Sequence, residues 1–256
     1  MIFNIDSKNN TEIKNIRKCL DDKQYRKENN CFGVEGLKII IDLIKNGFEV
    51  VKLFFSQHFD NRLIYEFSQK YECIVISNQL FSNISLLKTP EGIMACFKKR
   101  TEKYQIQQHK KYLWLEQLQN PGNMATIIRT CICFGIDGII LTKNSVDLFS
   151  PKILRDSSGA SANINYITYN SAFEALENIK QNGYEIYATC LDETSVDIET
   201  VDFNKDIVFV LGNEGNGLDL DFANKCDKKV IIKQKSFDSL NVAVCGAIIT
   251  YLWSKK

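Results

Sequence analysis

Apolar residues in the first hundred positions alternate between helical spacing and short continuous runs. Those between residues 37 and 44 recur at helical intervals, and Val50 to Phe54 then form a short run typical of a strand. The alternation continues as a helix over 63–71, a strand over 73–76, a loop over 89–92 and a strand over 93–97. Helices and strands in this order predict an α/β domain.

The second half of the chain contains five short, nearly all-apolar runs separated by helix-like segments. These runs span residues 112–115, 138–141, 185–188, 207–210 and 230–232. Continuous apolar runs of this length are typical of a parallel sheet covered by helices on both faces. An apolar segment of helical length over 242–253 completes a second α/β domain.

Two polar stretches suggest where the domains begin and end. Residues 1–30 are polar and mixed in charge, which fits a surface helix in a polar N-terminal extension, and residues 98–110 form a basic linker almost free of branched aliphatics. We therefore predict a first domain over 1–105 and a second over 111–256.

Composition narrows the class of protein. The chain has 256 residues and nine scattered cysteines without a CxxC pair, and its first residues lack a cationic, apolar signal region. Its apolar stretches are interrupted by charge before the length that a membrane span requires. We expect reduced thiols in the cytoplasm, buried packing for Cys131 and Cys133, and no metal site.

The formal net charge of +1 is low for a nucleic-acid-binding protein, so the distribution of charge matters more than its sum. Two clusters stand out, and each is either a solvated face or a surface that meets RNA phosphates. They comprise Lys98, Lys99, Arg100, Lys103, Lys110 and Lys111 in the first, and Lys228, Lys229, Lys233 and Lys235 in the second.

A first polar loop follows the strand at 112–115 and covers residues 120–130. Pro121 and Gly122 favour a tight turn, Asn123 is the predicted cap of the next helix, and Arg129 falls about two turns into that helix. Considered singly, Asn123 could serve only as a cap and Arg129 only as a surface charge.

A second loop has three glycines in residues 212–217, directly after a buried strand. Glycine lets a ligand approach the backbone closely, but the spacing does not match G-x-G-x-x-G. Glu214 would also repel a pyrophosphate, so the loop suits a neutral adenosine and a cationic sulfonium better than a nucleotide phosphate.

A third loop, residues 231–241, ends in Ser239-Leu240-Asn241 before the last helix. Ser239 or Asn241 could act simply as the N-cap of that helix. In open parallel sheets, however, the ligand site lies beyond the carboxyl ends of the strands, and all three loops follow strands.

These loops resemble the three motifs of the SpoU or TrmH branch of the SPOUT methyltransferases, in the same order and with similar spacing. The matching segments begin at Asn120-Pro121-Gly122, Val210-Leu211-Gly212 and Ser239-Leu240-Asn241. Residues 150–155 and 159–160 resemble the family's connecting segment. Residues 34–36 and 89–95 resemble the L30e-like substrate-binding domain of many members.

The resemblance implies a second domain with a deep trefoil knot, a homodimer, and S-adenosylmethionine as cofactor, with no metal. By motif position, the implied cofactor contacts are Gly212, Asn213, Ile231, Leu240 and Leu191. The implied catalytic residues are Asn123, Arg129, Glu214, Ser239 and Asn241.

The chemistry of a ribose 2′-hydroxyl suits these residue types. Neither histidine lies in a motif, so Arg129 is expected to orient the hydroxyl and stabilise charge, with the proton acceptor left open. Asn123 and Asn241 are expected to hold the loops and the nucleotide, Glu214 to fix Arg129 or a backbone amide, and Ser239 to bond in the pocket. Two departures from the family pattern are Ala125 in place of glycine and Lys233 early in the third loop.

The sequence therefore predicts an S-adenosylmethionine-dependent RNA 2′-O-ribose methyltransferase. Its L30e-like first domain favours 23S rRNA over tRNA as substrate. The alternatives are a tRNA methyltransferase, an rRNA methylase that confers antibiotic resistance, and an RNA-binding homologue that has lost catalysis.

Overall fold

The computed structural model describes residues 1–100, 104–235 and 239–255. They form two compact units, of which the first comprises Met1–Glu102 with Asp147–Asn163 and the second comprises Lys103–Val146 with Ile164–Lys256. The predicted linker over 98–110 includes residues 101–103, which lie outside the described residues.

The first unit is an α/β domain, as its periodicity predicts. Its five-stranded sheet has the order β1-β4-β3-β5-β2, with β5 antiparallel to both of its neighbours and the other pairs parallel. The strands are β1 (Ile2–Ile5), β2 (Cys31–Glu35), β3 (Val50–Ser56), β4 (Cys73–Ile76) and β5 (Ile93–Lys98). The helices are α1 (Thr11–Asp21), α2 (Lys23–Glu28), α3 (Leu37–Lys45), α4 (Asn61–Ser68) and α5 (Asn78–Ile84), with α7 (Pro151–Asp156) and α8 (Ala160–Asn163) from the later segment.

The first thirty residues are part of this fold and not a polar extension. Strand β1 pairs with β4, and α1 buries Ile13, Ile16 and Leu20 in the core. These side chains recur at helical spacing, but lysines and acidic residues occupy the positions between them. The helix is therefore amphipathic, with its apolar face on the sheet and its charged face in solvent.

Residues 147–163 belong to the first unit, which the predicted boundaries did not anticipate. The Asp147 carboxylate accepts hydrogen bonds from the Arg26 guanidinium at 2.8 and 3.0 Å, and the Phe149 ring packs against Phe32 at 5.2 Å. Helix α7 then contacts β2. An ion pair and apolar contacts with residues about 120 positions earlier hold this segment on the first unit.

The two segments that resemble an L30e-like domain meet at the start of α3. Gly36 has a φ of 107°, a left-handed conformation that glycine adopts without strain, and donates its amide to the Ile93 carbonyl. The Glu91 carboxylate accepts a 2.9 Å hydrogen bond from the Leu37 amide. A carboxylate at this place satisfies a free N–H of the first helical turn and opposes the positive end of the helix dipole.

The second unit is built on a seven-stranded, fully parallel sheet of order β10-β12-β9-β11-β6-β7-β8. All five predicted strands are present. The strands are β6 (Tyr112–Leu115), β7 (Gly138–Thr142), β8 (Asn165–Tyr169), β9 (Glu185–Thr189), β10 (Val196–Asp197), β11 (Ile207–Leu211) and β12 (Lys228–Ile231). The helices are α6 (Pro121–Cys133), α9 (Ala172–Gln181), α10 (Leu220–Ala223) and α11 (Val242–Ser254).

Helix α11 packs closely against this sheet and against α6. Gly246 makes this possible, because a Cβ there would lie 3.0 Å from the Leu211 side chain and 3.5 Å from Ile127. Within the described residues, no helix is long and apolar enough to cross a membrane. The trefoil knot stays a prediction.

Candidate active site

A cavity of about 620 Å³ opens in the second unit where the ends of several strands meet. Strands β12, β9, β11 and β6 are successive neighbours in the sheet, and because they are parallel their carboxyl ends lie at one edge. All five predicted cofactor contacts line the cavity: Leu191, Gly212, Asn213, Ile231 and Leu240. Of the predicted catalytic residues, Glu214, Ser239 and Asn241 line it as well.

The glycine-rich loop after β11 is closed on itself. The Asn213 and Gly217 backbones exchange two hydrogen bonds of 3.0 Å, so the loop turns back immediately after Gly212. A Cβ on Gly212 would lie 2.4 Å from the Gly217 carbonyl carbon, a distance that real Cβ atoms do not show. Only glycine fits at this position.

The Asn213 side chain organises this loop and ties it to the segment just before the first loop. Its carbonyl oxygen accepts from the amides of Gly215 and Asn216, and its amide nitrogen donates to the Gln117 carbonyl at 2.9 Å. Asn213 lines the cavity as predicted, but its polar side-chain atoms are engaged within the protein.

Glu214 joins the second loop to the first. Its carboxylate accepts hydrogen bonds from the amides of Asn120 at 2.8 Å and Gln119 at 3.2 Å, and from the Asn123 side chain at 3.2 Å. Partial burial tends to raise the pKa of Glu214, but its own amide, the two loop amides and Asn123 outweigh burial and lower it. Of the two partners predicted for Glu214, the backbone amide is correct and Arg129 is not.

The first loop differs from its prediction at the helix cap. Asn120, not Asn123, is the N-cap of α6, and its side chain accepts from the amide of Gly122. Asn123 lies in the first helical turn, which leaves its side chain available for Glu214. It also accepts a 3.1 Å hydrogen bond from the Asn241 side chain. The three loops are thus joined by one chain of side-chain hydrogen bonds.

Arg129 is exposed on α6 and does not line the cavity. Among the described residues, its guanidinium has no hydrogen-bond or ion-pair partner. Its five donors are therefore free to meet a phosphate or a polar group of a substrate.

The third loop is described up to Lys235 and again from Ser239, so its middle, including Asp238, lies outside the described residues. Asn241 is the N-cap of α11 and accepts from the Ala243 amide at 2.8 Å, in addition to its bond with Asn123. Leu240 is half-buried, and Ser239 is exposed at the cavity wall.

Sequence analysis missed one carboxylate in the cavity wall. Asp192 follows β9 and pairs with Lys229 at 2.9 Å. Hydrogen bonds from the Thr194 hydroxyl, Lys229 and the Thr194 amide hold the pKa of Asp192 well below its usual range. An acidic residue directly after a buried strand, one position from Leu191, is the signal that could have identified it.

Several lysines of the two basic clusters have partners within the protein. In the first cluster, Lys98 pairs with Glu49, and Lys110 with Asp137 at 3.2 Å. In the second, Lys229 and Lys233 pair with acidic residues. Lys103 lies outside the described residues. Internal pairing leaves fewer charges for RNA than the sequence suggests.

Both the first and the second half of the chain match known protein families. Residues 110–251 match the SpoU rRNA Methylase family, which covers more than half of the chain. Residues 10–95 match the MRM3-like substrate binding domain.

Individual proteins are similar over nearly the whole length. The 23S rRNA (guanosine(2553)-2′-O)-methyltransferase RlmP of Bacillus subtilis (strain 168) is 27% identical, covering 96% of this chain and 97% of its own. The crystal structure of an AdoMet-bound rRNA methyltransferase from Sinorhizobium meliloti superposes with a TM-score of 0.86 at 26% identity, covering 99% and 98% of the two chains. An uncharacterised tRNA/rRNA methyltransferase of Synechocystis is 30% identical, over 72% of this chain and 68% of its own.

Proposed function

Because the chain belongs to the SpoU rRNA Methylase family, we propose that it methylates a ribose 2′-hydroxyl of large-subunit ribosomal RNA with S-adenosylmethionine as methyl donor. The observation that supports this most strongly is the convergence of the three motif loops on one cavity, joined through Asn123, Glu214 and Asn241. Three loops that are far apart in the sequence meet at one cavity, as expected if they bind the same ligands.

The cavity suits S-adenosylmethionine in size and in chemistry. Its volume lies within the ordinary range of about 300–1,000 Å³ for small-molecule sites. Aliphatic side chains such as Leu218, Ile231 and Leu240 offer an apolar surface to an adenine ring. Among the described residues of its wall, the charged groups are the carboxylates of Glu214 and of Asp192, which pairs with Lys229, and none of these lining residues is a cation that would attract a phosphate. When bound, the cofactor supplies an electrophilic methyl group on a sulfonium.

The chain's own residues orient the reactants. Glu214 holds the first loop through the amides of Gln119 and Asn120, and it thereby fixes the start of α6. Asn123 and Asn241 keep the first and third loops in register, so that a nucleotide bound between them has one orientation. The exposed hydroxyl of Ser239 is available to bond with cofactor or substrate.

We assign Arg129 to binding of the RNA substrate. Its exposed guanidinium can bind the phosphate next to the target ribose and stabilise the charge that develops on the 2′-oxygen. Among the described residues Arg129 has no ion-pair partner to give up when substrate binds, which suits an orienting group.

The first unit is assigned to RNA binding, supported by its match to a substrate binding domain. Large-subunit rRNA is preferred over tRNA because RlmP of Bacillus subtilis, similar over nearly the full length, is named for 23S rRNA. Guanosine 2553, the nucleotide in that relative's name, is the first position to examine. Such a reaction occurs where ribosomes are assembled, so we expect the protein in the cytoplasm.

A homodimer is proposed through the exposed apolar face of α11 and α6. Val244 and Tyr251 lie seven positions apart on one side of α11 and are 47% and 46% exposed, and Ile132 of α6 is 44% exposed. The Phe134 ring packs edge-on to Tyr251 at 5.6 Å and extends this apolar surface. A contiguous apolar face of this kind is typical of a protein interface.

The proposed function is tested by measuring transfer of a labelled methyl group from S-adenosylmethionine to 23S rRNA and, in parallel, to tRNA. A 2′-O-methylated ribose resists alkaline cleavage at its own phosphodiester bond, which locates the product. The wild type should label 23S rRNA at a ribose. Transfer to tRNA alone, or to a base, would contradict the proposal.

Two variants separate cofactor binding from transfer. Leu240→Arg should abolish binding of S-adenosylmethionine in a calorimetric titration, because it puts a cation in the cavity wall. Arg129→Ala should bind the cofactor normally yet lose transfer, whereas Lys205→Ala, which removes an exposed cation of the second unit just before β11, should keep both. A wild type that binds RNA but no cofactor would identify the protein as an RNA-binding homologue without catalysis.

A further inference from the structure

Three cysteines that are distant in the sequence converge in the core of the first unit. Cys19 lies in α1, Cys31 begins β2, and Cys96 lies in β5. The Cys19 Sγ is 3.3 Å from the Cys31 Sγ and 3.2 Å from the Cys96 Sγ, and all three sulfur atoms lie within 4.8 Å of one another. Each residue is at most 8% exposed.

The packing of α1 on the sheet explains why they meet. Cys31 and Gly33 point to the same face of β2, and Gly33 is directly opposite Cys96 on the neighbouring strand. A Cβ on Gly33 would lie 3.0 Å from the Cys19 carbonyl carbon and 3.0 Å from the Leu20 side chain. Because Gly33 has no side chain, α1 lies directly on the strand and brings Cys19 between the other two cysteines.

One buried cation lies beside this cluster. The Arg26 guanidinium, only 4% exposed, donates to the carbonyls of Cys19 and Leu20 at 3.2 and 2.9 Å. Its positive charge would offset part of the negative charge of three thiolates.

We propose that Cys19, Cys31 and Cys96 bind a thiophilic metal ion, Zn²⁺ or Cu⁺, in a three-thiolate site that fastens α1 to the sheet. Thiolates are the ligands that both ions prefer. A metal–sulfur distance of about 2.3 Å separates three ligand sulfurs by roughly 4 Å, so each sulfur needs to move by less than about 1 Å. The proposal reverses the expectation of no metal site, and it does not depend on the proposed function.

The geometry also bears on which ion is bound. Among the described residues, no histidine, aspartate, glutamate or further cysteine joins the three sulfurs. Cu⁺ is stable with three thiolates, whereas Zn²⁺ in structural sites takes four ligands and would need a water molecule as the fourth. Separate titrations with the two ions therefore distinguish them.

The test uses the full-length protein in its reduced form. Zn²⁺ is titrated in competition with a coloured chelator, and Cu⁺ is titrated without oxygen against a Cu⁺-specific chelator. The wild type should bind one equivalent of one of the ions. Cys31→Ala and Cys96→Ala should weaken binding by at least about 100-fold, because loss of a ligand exceeds the 10–100-fold effect of an outer-shell change.

Cys73→Ala is the matched control, since Cys73 is a fully buried cysteine of the same unit outside the cluster. It should bind the metal as the wild type does. Equal binding by Cys31→Ala and the wild type would overturn the proposal, as would equal losses in Cys31→Ala and Cys73→Ala.

A measurement on the wild type keeps the test decisive if the cluster variants fail to fold. Cd²⁺, a thiophilic ion with an ultraviolet thiolate charge-transfer band, should produce that band at one equivalent and raise the Tm of the protein. Absence of both the band and the Tm shift would overturn the proposal. A Cys19–Cys31 or Cys19–Cys96 disulfide in the freshly isolated, metal-free protein would overturn it as well.

Discussion

The side-chain amide of Asn241 donates a 3.1 Å hydrogen bond to the side-chain oxygen of Asn123, which lies 118 residues earlier in the chain. Asn241 is also the N-cap of α11, and Asn123 also donates to Glu214. One chain of contacts therefore runs from the third loop through the first to the second. The first loop is therefore held by residues of both of the others.

Asn123→Ala breaks this chain at its centre. We expect kcat/KM for methyl transfer to fall by about 100-fold, the effect of a displacement of about 1 Å at a reacting group, while cofactor affinity changes little. Radiolabel transfer to 23S rRNA and calorimetry with S-adenosylmethionine measure the two quantities. The control is Asn224→Ala, which removes an exposed side chain in the same unit. A parallel loss of cofactor affinity would mean that Asn123 contacts the cofactor and does not position the loops.

Gly212→Ala should distort the loop that forms one wall of the cofactor cavity. Its Cβ would lie 2.4 Å from the Gly217 backbone, and backbone cannot move aside as a flexible side chain can. We expect affinity for S-adenosylmethionine to fall at least about tenfold, a loss of roughly 1.4 kcal/mol. Calorimetric titration measures this change.

Gly215→Ala is the matched control in the same loop. A Cβ there meets nothing closer than the Asn213 side-chain oxygen at 3.5 Å, which is ordinary contact. It should keep the wild-type affinity within a few-fold. Equal losses in the two variants would show that the loop tolerates no added methyl group, whatever the position.

Much of this site could be predicted from the sequence, because the loops follow apolar strands and share one edge of a parallel sheet. The hydrogen-bond partner of each side chain could not be predicted. Glu214 was expected to hold Arg129 or a backbone amide, and the structure supplies amides 94 and 95 residues away. Asn123 was expected to be a cap, but Asn120 satisfies the first amides of α6. Either asparagine could cap this helix, and only the turn at Pro121 decides between them.

Glu214 should make stability depend on pH. Its pKa is lowered in the folded state, so its contribution is fully present above the ordinary value of 4.5 and is lost as the pH falls through the lowered pKa. In urea unfolding between about pH 6 and pH 3, the wild type should lose stability more steeply than Glu214→Gln. Glu193→Gln, which alters an exposed carboxylate in the same unit, should follow the wild type. Coincident curves for all three proteins would remove Glu214 from this role.

The Arg26–Asp147 pair should be a major support of the first unit. Its side chains are 4% and 14% exposed, and Asp147→Ala would leave the buried guanidinium without its carboxylate. Such a loss costs about 3–5 kcal/mol. Asp156→Ala breaks a more exposed pair with Arg155 in the same segment and should cost about 1 kcal/mol or less. Denaturant unfolding measures both values, and similar costs would contradict a special role for Asp147.

The course of residues 147–163 shows where prediction from sequence ends. Apolar runs revealed β6 and β11, but β8 is only half-buried and its polar residues conceal it. Segment 147–163 packs on the first unit through Phe149 and Asp147, whose partners are more than 100 positions away. Periodicity reports which face of an element is buried, and it carries no information on which distant residues cover that face.

Val244→Asp should convert the proposed dimer into a monomer. The substitution puts a charge in the exposed apolar face of α11, where a partner would bury it without a counter-charge. The dimer dissociation constant should rise by at least about 100-fold, since an unpaired buried charge costs roughly 3 kcal/mol or more.

Val51→Asp is the matched control, because Val51 is 42% exposed on β3 of the first unit. Sedimentation velocity over a range of concentrations measures the assembly. A wild type that sediments as a monomer, or a Val244→Asp variant that stays dimeric, would refute this choice of interface.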